Sequence, residues 1–198
     1  MNLIQYQALA IRTAKPAENK TFGYIHGALG VGSEVGELCE EFIRAMGAEH
    51  IDLLYVAKEL GDHMWYLAYE AHENDIQLWS LVSDDAVQEA GASAPVFQDK
   101  ETYGWDPKSV VYVLGLVAAQ GEMLTQVKKH YIYGKPLDQL AMISSITMQI
   151  NCIMKICNSL HISFTGLLQT NIDKLRLRFP DAYSDAAALA RADESATA

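Results

Sequence analysis

The fold is decided by two stretches, Gly30-Val31-Gly32-Ser33-Glu34-Val35-Gly36-Glu37-Leu38 and Lys58-Glu59-Leu60-Gly61-Asp62-His63-Met64-Trp65-Tyr66. Each stretch contains two acidic residues at spacing i, i+3, Glu34 with Glu37 and Glu59 with Asp62. On an α-helix this spacing places both carboxylates on one face, one turn apart. Apolar residues flank both pairs, so we expect two amphipathic helices whose acidic faces lie beside a core.

The two acidic pairs are placed symmetrically about residue 48. This position is the midpoint of Glu37 and Glu59, and also the midpoint of Glu34 and Asp62. If two helices fold back antiparallel at Gly47–Ala48, both arms have the same rise per residue, and the four carboxylates reach one level. The spacing therefore predicts a single cluster of four carboxylates. The alternative interpretation is two solvated acidic helix faces.

Four carboxylates in one place require neutralisation. Two like charges about 4 Å apart repel by roughly 4 kcal/mol at an effective dielectric constant near 20. A hard divalent cation with oxygen ligands removes this repulsion, and Mg²⁺ suits a few carboxylates plus retained waters. We therefore predict a Mg²⁺ site, in which Mn²⁺ can substitute, with the ligands Glu34, Glu37, Glu59 and Asp62.

Composition and charge exclude several functional classes. The chain has 198 residues, of which 50% are hydrophobic, and a net charge of −10. This negative charge argues against binding of nucleic-acid polymers through their phosphates. We find neither an apolar run of about 18 residues nor a signal-peptide pattern, so we expect no membrane association and a cytoplasmic location. Three cysteines without metal-ligand spacing are predicted to be reduced thiols: Cys39, Cys152 and Cys157.

The charge is divided unevenly between the two halves of the chain. Residues 1–99 contain 5 Lys and Arg against 16 Asp and Glu, whereas residues 100–198 contain 10 against 9. The first half therefore carries a net charge of −11 and the second half +1. We expect the first half to hold cations, and the second half to be free to bind anions.

Hydrophobic periodicity predicts an all-α protein, a helical bundle with few strand signals. The domain organisation that we predict is a first helical repeat at 1–82 with the acidic site, a connecting segment at 83–107, a second repeat at 108–185 and a disordered tail at 186–198. The predicted helices are 2–14, 22–46, 51–73, 108–133, 137–159 and 164–178. Glycines along the second helix predict close approach of another backbone.

An internal repeat relates the two halves. Leu29-Gly30-Val31 and Gly36-Glu37-Leu38 match Leu114-Gly115-Leu116 and Gly121-Glu122-Met123 at an offset of 85. One inserted residue at the second turn then aligns Glu59 with Ser145 and Asp62 with Met148, while Glu34 aligns with Ala119. Only Glu122 retains an acidic side chain. We interpret the halves as tandem helical hairpins that form a pseudo-dimer, in which the first hairpin has an active site and the second a degenerate one. The alternative is that the sequence match arose by chance.

The two acidic motifs, Glu34-x-x-Glu37 and Glu59-x-x-Asp62, are separated by 21 residues. Together they resemble the signature of the MazG-like all-α nucleoside triphosphate pyrophosphohydrolases. The second half contains other words similar to that family: Gly121-Glu122, Val127-Lys128-Lys129, Gly134-Lys135 and Asn171-Ile172-Asp173-Lys174-Leu175-Arg176-Leu177-Arg178-Phe179-Pro180. The resemblance covers most of residues 2–185. The chain departs from the family pattern, because its acidic motifs and its Asn-x-x-Lys motif lie in different repeats. A fused pseudo-dimer of this kind need not use a subunit partner; a homodimer is the alternative.

The resemblance implies Mg²⁺-dependent hydrolysis of a (deoxy)nucleoside triphosphate to the monophosphate and pyrophosphate. Glu37 or Glu34 would then orient the attacking water, a choice that the sequence leaves open. Asn171, Lys174 and Arg178, on one helix face, and Lys58 would bind the phosphates. The location implied is the cytoplasm, of the host where the gene is carried by a phage. Two alternatives remain: a dUTPase- or dCTPase-like member of the superfamily, and a non-catalytic helical module that senses nucleotides or binds a partner.

Overall fold

A computed structural model describes residues 1–48, 50–92, 101–103 and 105–195, and this part of the chain is mostly helical, as the sequence predicts. A 3₁₀ turn lies at Leu78–Ser80, and there are two three-residue strands, β1 (His50–Asp52) and β2 (Glu101–Tyr103). The helices are α1 (Leu3–Ile11), α2 (Lys20–Ala48), α3 (Leu53–Glu73), α4 (Asp84–Glu89), α5 (Ser109–Tyr133), α6 (Gln139–Ser159), α7 (Phe164–Arg178), α8 (Asp185–Ala190) and α9 (Ala192–Ser195).

Local sequence signals set the ends of the main helices. Asp52, Asp138 and Ser163 precede α3, α6 and α7, and each side chain accepts a hydrogen bond from a backbone N–H in the first turn. Such N-caps satisfy donors that have no partner inside the helix. At the other end of α5, Gly134 adopts φ 63°, the left-handed conformation that glycine takes at no steric cost.

Helices α2 and α3 form an antiparallel hairpin, as the sequence predicts, but α2 continues through Gly47 and Ala48, where the sequence predicts the turn, and β1 precedes α3. A Cβ atom added to Gly23, Gly27 or Gly30 would collide with the side chain of Glu73, Glu70 or Tyr66, respectively. In each of these three contacts the two residue numbers add to 96 or 97. All three contacts are therefore centred on residue 48, as the acidic pairs are in the sequence. The expectation of close backbone approach is wrong at these glycines. They make room for three large side chains of α3, which fill the space between the helices.

The tip of this hairpin is fixed by a small ladder and an ion pair. Strand β1 pairs antiparallel with β2, with His50 opposite Tyr103. The Glu41 carboxylate binds the Arg44 guanidinium at 2.6 and 2.7 Å and accepts the Asp52 backbone N–H at 2.8 Å. Three-residue strands are too short for an alternating pattern, so the sequence does not predict them. The predicted connection 83–107 contributes α4 and β2, and its residues 93–100 and 104 lie outside the described chain.

The four long helices pack around one core. Helix α2 contacts α3 and α5, and α6 contacts α5 and α3, while α7 packs across α3 and α1. A buried polar chain joins three of them: His63 Nε2 lies 2.8 Å from Gln149 Oε1, Gln149 donates to Ser145 Oγ, and Ser145 donates to the Ala119 carbonyl at 2.7 Å. Burial lowers the pKa of His63 to about 4, so this imidazole is neutral.

Two regions differ from the sequence-based expectations. The tail predicted to be disordered is helical in α8 and α9, because Ser184 caps α8 and the Asp193 carboxylate binds Arg178 of α7; residues 196–198 lie outside the described chain. Helices α5 and α6 are long and apolar enough to cross a membrane by length and composition, although we expected no such segment. The core helix of a soluble protein satisfies the same criteria. Of the relevant window, 56% is buried inside the fold in α6 and 39% in α5.

Candidate metal centre

Three of the four predicted carboxylates meet between α2 and α3. One oxygen from each of Glu34, Glu59 and Asp62 lies within 4.8 Å of the others. Glu34 comes from the middle of α2, and the other two come from successive turns of α3. Glu34 is 9% exposed and Glu59 only 1%, so two of these three charges are largely removed from water. The hairpin register about residue 48 is what brings them together.

This arrangement opposes ionisation of Glu34 and Glu59. Burial, followed by the charges of Asp62 and Glu59, raises the pKa of Glu34 to about 8. Burial also raises the pKa of Glu59, against the opposing effect of the Lys58 ammonium group 3.1 Å away. A carboxyl group that is desolvated beside other carboxylates favours its protonated form. A bound cation would relieve both effects, since it would add positive charge to that of the Lys58 ammonium group.

Glu37 lies beside this cluster and is exposed to solvent. It is one turn after Glu34 on α2, and its negative charge contributes to the raised pKa values of both Glu34 and Glu59. It is not among the three residues whose oxygens lie within 4.8 Å of one another. Its roles as a metal ligand and as the residue that orients water therefore stay predictions.

Asp62 is bound by two residues of α7, both of them predicted substrate ligands. Lys174 Nζ forms an ion pair with Asp62 Oδ1, and Asn171 Nδ2 donates to the same oxygen at 2.9 Å. The Tyr6 hydroxyl of α1 in turn donates to Asn171 Oδ1 at 2.9 Å. Tyr6 is fully buried. It fixes the orientation of the Asn171 amide, because that oxygen must face the hydroxyl while the amide nitrogen faces Asp62.

Lys58 and Lys174 also line the groove between α3 and α7. The two lysines border a small pocket, together with Thr170, Asn171 and the apolar side chains of Leu54 and Leu167. Lys58 forms its ion pair with Glu59 and lies 5.7 Å from the centre of the Tyr55 ring. The groove thus offers positive charge next to the acidic cluster and an apolar wall beyond it.

Arg178 lies one turn beyond Lys174, at the end of α7. Its guanidinium binds Asp193 of α9 through two hydrogen bonds, Nε to Oδ1 at 2.7 Å and Nη2 to Oδ2 at 2.6 Å. Its charge also acts on the Tyr66 hydroxyl, as do the charges of Glu34 and Asp62. Arg178 is therefore near the cluster electrostatically but is paired with the carboxyl-terminal segment.

Two residues of this region were not identified from the sequence. Tyr6 belongs to the apolar stripe of α1, and nothing in that stripe indicates that its hydroxyl would reach Asn171. Asp193 lies in a segment rich in Ala, Asp and Ser that predicts disorder. The partners of both residues are more than ten positions away in the chain, so only the tertiary packing identifies them.

Comparisons with known proteins identify no relative. No protein-family model, no curated protein and no solved structure matches this chain. The chemistry of the site therefore rests on its own residues.

Proposed function

We propose that this chain is a Mg²⁺-dependent hydrolase that converts a (deoxy)nucleoside triphosphate to the monophosphate and pyrophosphate. The observation that carries the proposal is the convergence of Glu34, Glu59 and Asp62 next to Lys174 and Asn171. A triphosphate in complex with Mg²⁺ needs both kinds of group, carboxylates for the metal and cationic donors for the phosphates. The fold supports the same proposal, since a helical hairpin carries the acidic pairs.

The donor set fits a hard divalent cation. The converging ligand atoms are all carboxylate oxygens, the type that Mg²⁺ and Mn²⁺ prefer over softer metals. Glu34, Glu59 and Asp62 would hold the ion, and exposed Glu37 lies beside them as a fourth carboxylate. When bound, the metal supplies charge neutralisation at the phosphates and lowers the pKa of a coordinated water.

The protein residues would perform the remaining tasks. Lys174 and Asn171 contact Asp62 in the free chain and would bind phosphate oxygens as charge develops on them. Glu37 or Glu34 would accept the proton of the attacking water. Glu34 is the more buried of the two, while Glu37 is the more accessible. The apolar wall of the groove, Leu54 and Leu167, would exclude water from one side.

We also propose that the bundle is of the MazG type and contains two tandem hairpins. Two pairs of equivalent contacts, and one contact between two aligned residues, support this duplication. Gly30 packs against Tyr66, and the aligned residue Gly115 packs against Cys152, the residue aligned with Tyr66. Glu34 meets Glu59, and the aligned Ala119 meets Ser145. His63 contacts Gln149, its own aligned residue. A pair of equivalent residues in contact is expected on the axis of a pseudo-dimer.

A product assay tests the reaction. The purified protein would be incubated with each common NTP and dNTP and with dUTP, with and without Mg²⁺, and the products would be separated. We expect monophosphate and pyrophosphate, from a subset of nucleotides and only with metal. Diphosphate and phosphate as products would contradict the proposed bond cleavage. Metal binding without any turnover would favour a nucleotide-sensing module.

Matched variants test the site. Glu59→Gln and Asp62→Asn should each reduce kcat by at least about 100-fold, and should weaken Mn²⁺ binding measured by electron paramagnetic resonance. Glu122→Gln is the control, because Glu122 is exposed on α5 in the hairpin that lacks the other acids. It should behave as wild type. Equal activity of Glu59→Gln and Glu122→Gln would refute the assignment of the metal centre.

A further inference from the structure

Each of the three basic residues predicted to bind phosphate is paired with a carboxylate in the free chain. Lys58 binds Glu59, Lys174 binds Asp62, and Arg178 binds Asp193. The first two carboxylates belong to the candidate metal centre, so a bound cation would compete for them and release the two ammonium groups. Asp193 is outside that centre and lies on α9. No metal ion would release Arg178.

The contact between Arg178 and Asp193 resembles the recognition of a phosphate. The two hydrogen bonds run side by side from one guanidinium to two oxygens, at 2.7 and 2.6 Å. Phosphate presents two oxygens to arginine in the same forked geometry. Asp193 is only 4% exposed, and the charge of Lys174 reaches it as well. Its carboxylate therefore lies on the basic face of α7, where a polyphosphate would bind.

The segment that carries Asp193 consists of two short helices that pack against α7. Helix α9 has four residues, and α8 before it buries none of its residues. The ion pair between Lys15 and Asp185 of α8 is exposed on both sides, with 60% and 74% of the side chains accessible. Exposed ion pairs contribute little to stability. Displacement of α9 would break the pair of Asp193 with Arg178 and the packing of α9 against α7.

We propose that α9 is an autoinhibitory strap, in which Asp193 occupies the phosphate-binding guanidinium of Arg178 until a polyphosphate displaces it. This inference rests on the proposed function, since it assigns Arg178 to the substrate phosphates. Only the fraction of molecules with α9 displaced can use Arg178. The apparent dissociation constant for substrate is therefore the intrinsic one divided by that fraction. Nucleotides with fewer phosphates, which do not reach Arg178, would not displace it.

Kinetics of three variants test the strap. Asp193→Asn, and truncation after Arg191, should each lower the KM for a hydrolysed nucleoside triphosphate by about fivefold to tenfold, with kcat changed less than about twofold. Asp185→Asn is the matched control, an aspartate of the same segment whose partner, Lys15, is on α1; its KM should equal the wild-type value. An unchanged or raised KM in Asp193→Asn would overturn the proposal, because α9 would then be neutral or would help to bind substrate.

A second measurement does not depend on turnover. Arg191, which is exposed between α8 and α9, offers trypsin a basic residue, and release of peptide 192–198 would be followed by mass spectrometry. Inorganic tripolyphosphate with Mg²⁺ should accelerate this release several-fold in the wild type. In Asp193→Asn, release should be fast without tripolyphosphate. Equal rates in all four conditions would overturn the strap.

The two proposals fail in different ways. If no nucleotide is hydrolysed but tripolyphosphate accelerates release of the peptide, the proposed reaction is wrong and the strap is supported. If nucleotides are hydrolysed while both KM and peptide release are unaffected by the changes at Asp193, the strap is wrong and the reaction stands.

Discussion

Replacement of Glu70 by glutamine should stabilise the protein, and increasingly so as the pH rises. Glu70 lies on α3, two turns beyond Asp62, and is 0% exposed. Its Oε1 accepts the Asn74 side-chain N–H at 3.0 Å, while its Oε2 lies against Gly27 without a hydrogen-bond partner among the described residues. Burial raises the pKa of Glu70 to about 8; Asn74 opposes this shift, and the charge of Glu73 adds to it.

The magnitude follows from this pKa. The ordinary value is 4.5, so between pH 4.5 and about 8 the folded state keeps a proton that the unfolded state has released. Stability therefore falls as the pH rises through this window. One pKa unit corresponds to about 1.4 kcal/mol, so Glu70 lowers the free energy of unfolding by about 4 kcal/mol more at pH 9 than at pH 5. Glutamine has no such titration, and its amide oxygen can still accept the Asn74 bond.

Urea unfolding without metal, at pH 5, 7 and 9, measures this effect. We expect the free energies of unfolding of wild type and Glu70→Gln to differ by about 1 kcal/mol at pH 5, and by roughly 4 to 5 kcal/mol at pH 9. The control is Glu89→Gln, which removes an exposed carboxylate of α4 and should follow the wild type at every pH. Parallel stability curves for wild type and Glu70→Gln would refute the reasoning, because Glu70 would then ionise in the fold without cost.

Three further outcomes are expected. Gly27→Ala should destabilise the protein by about 1 to 3 kcal/mol in the same unfolding assay, since its Cβ would collide with the Glu70 carboxyl group; Gly36→Ala, with nothing within 4 Å of the added Cβ, should stabilise by about 0.5 to 1 kcal/mol. Destabilisation by both changes to the same extent would contradict the hairpin register. Lys174→Ala should raise the KM for triphosphate or lower kcat, because it removes an ammonium group assigned to the substrate phosphates. It should not weaken Mn²⁺ binding, because Lys174 competes with the metal for Asp62; wild-type kinetics would exclude this lysine from the site. Tyr6→Phe should cost about 1 kcal/mol of stability and lower kcat, because the Asn171 amide loses the donor that orients it; unchanged kcat with reduced stability would leave Tyr6 a purely structural role.

The candidate site shows where local pattern is sufficient and where it is not. The symmetric spacing of the acidic pairs about residue 48 correctly predicts that Glu34 meets Asp62. Its premise of equal rise on both arms holds only in part, because β1 (His50–Asp52) is extended on one arm. The position of Glu37 outside the group of carboxylates whose oxygens lie within 4.8 Å of one another does not follow from the sequence pattern. A carboxylate one turn along α2 can face either the cluster or solvent, and rotation of the packed helix places it in solvent.

The sequence by itself determined the helices and the level at which the carboxylates meet, since caps, periodicity and helical rise depend on neighbouring residues. The tertiary structure decided the partners: Lys174 with Asp62, 112 positions away, Arg178 with Asp193, and the short β1–β2 ladder at the hairpin tip. It also decided which carboxyl groups lose their water, Glu34 and Glu70 above all. The physical reason is that desolvation and long-range ion pairs arise only when separate helices pack, and no local period encodes which side chains then face each other.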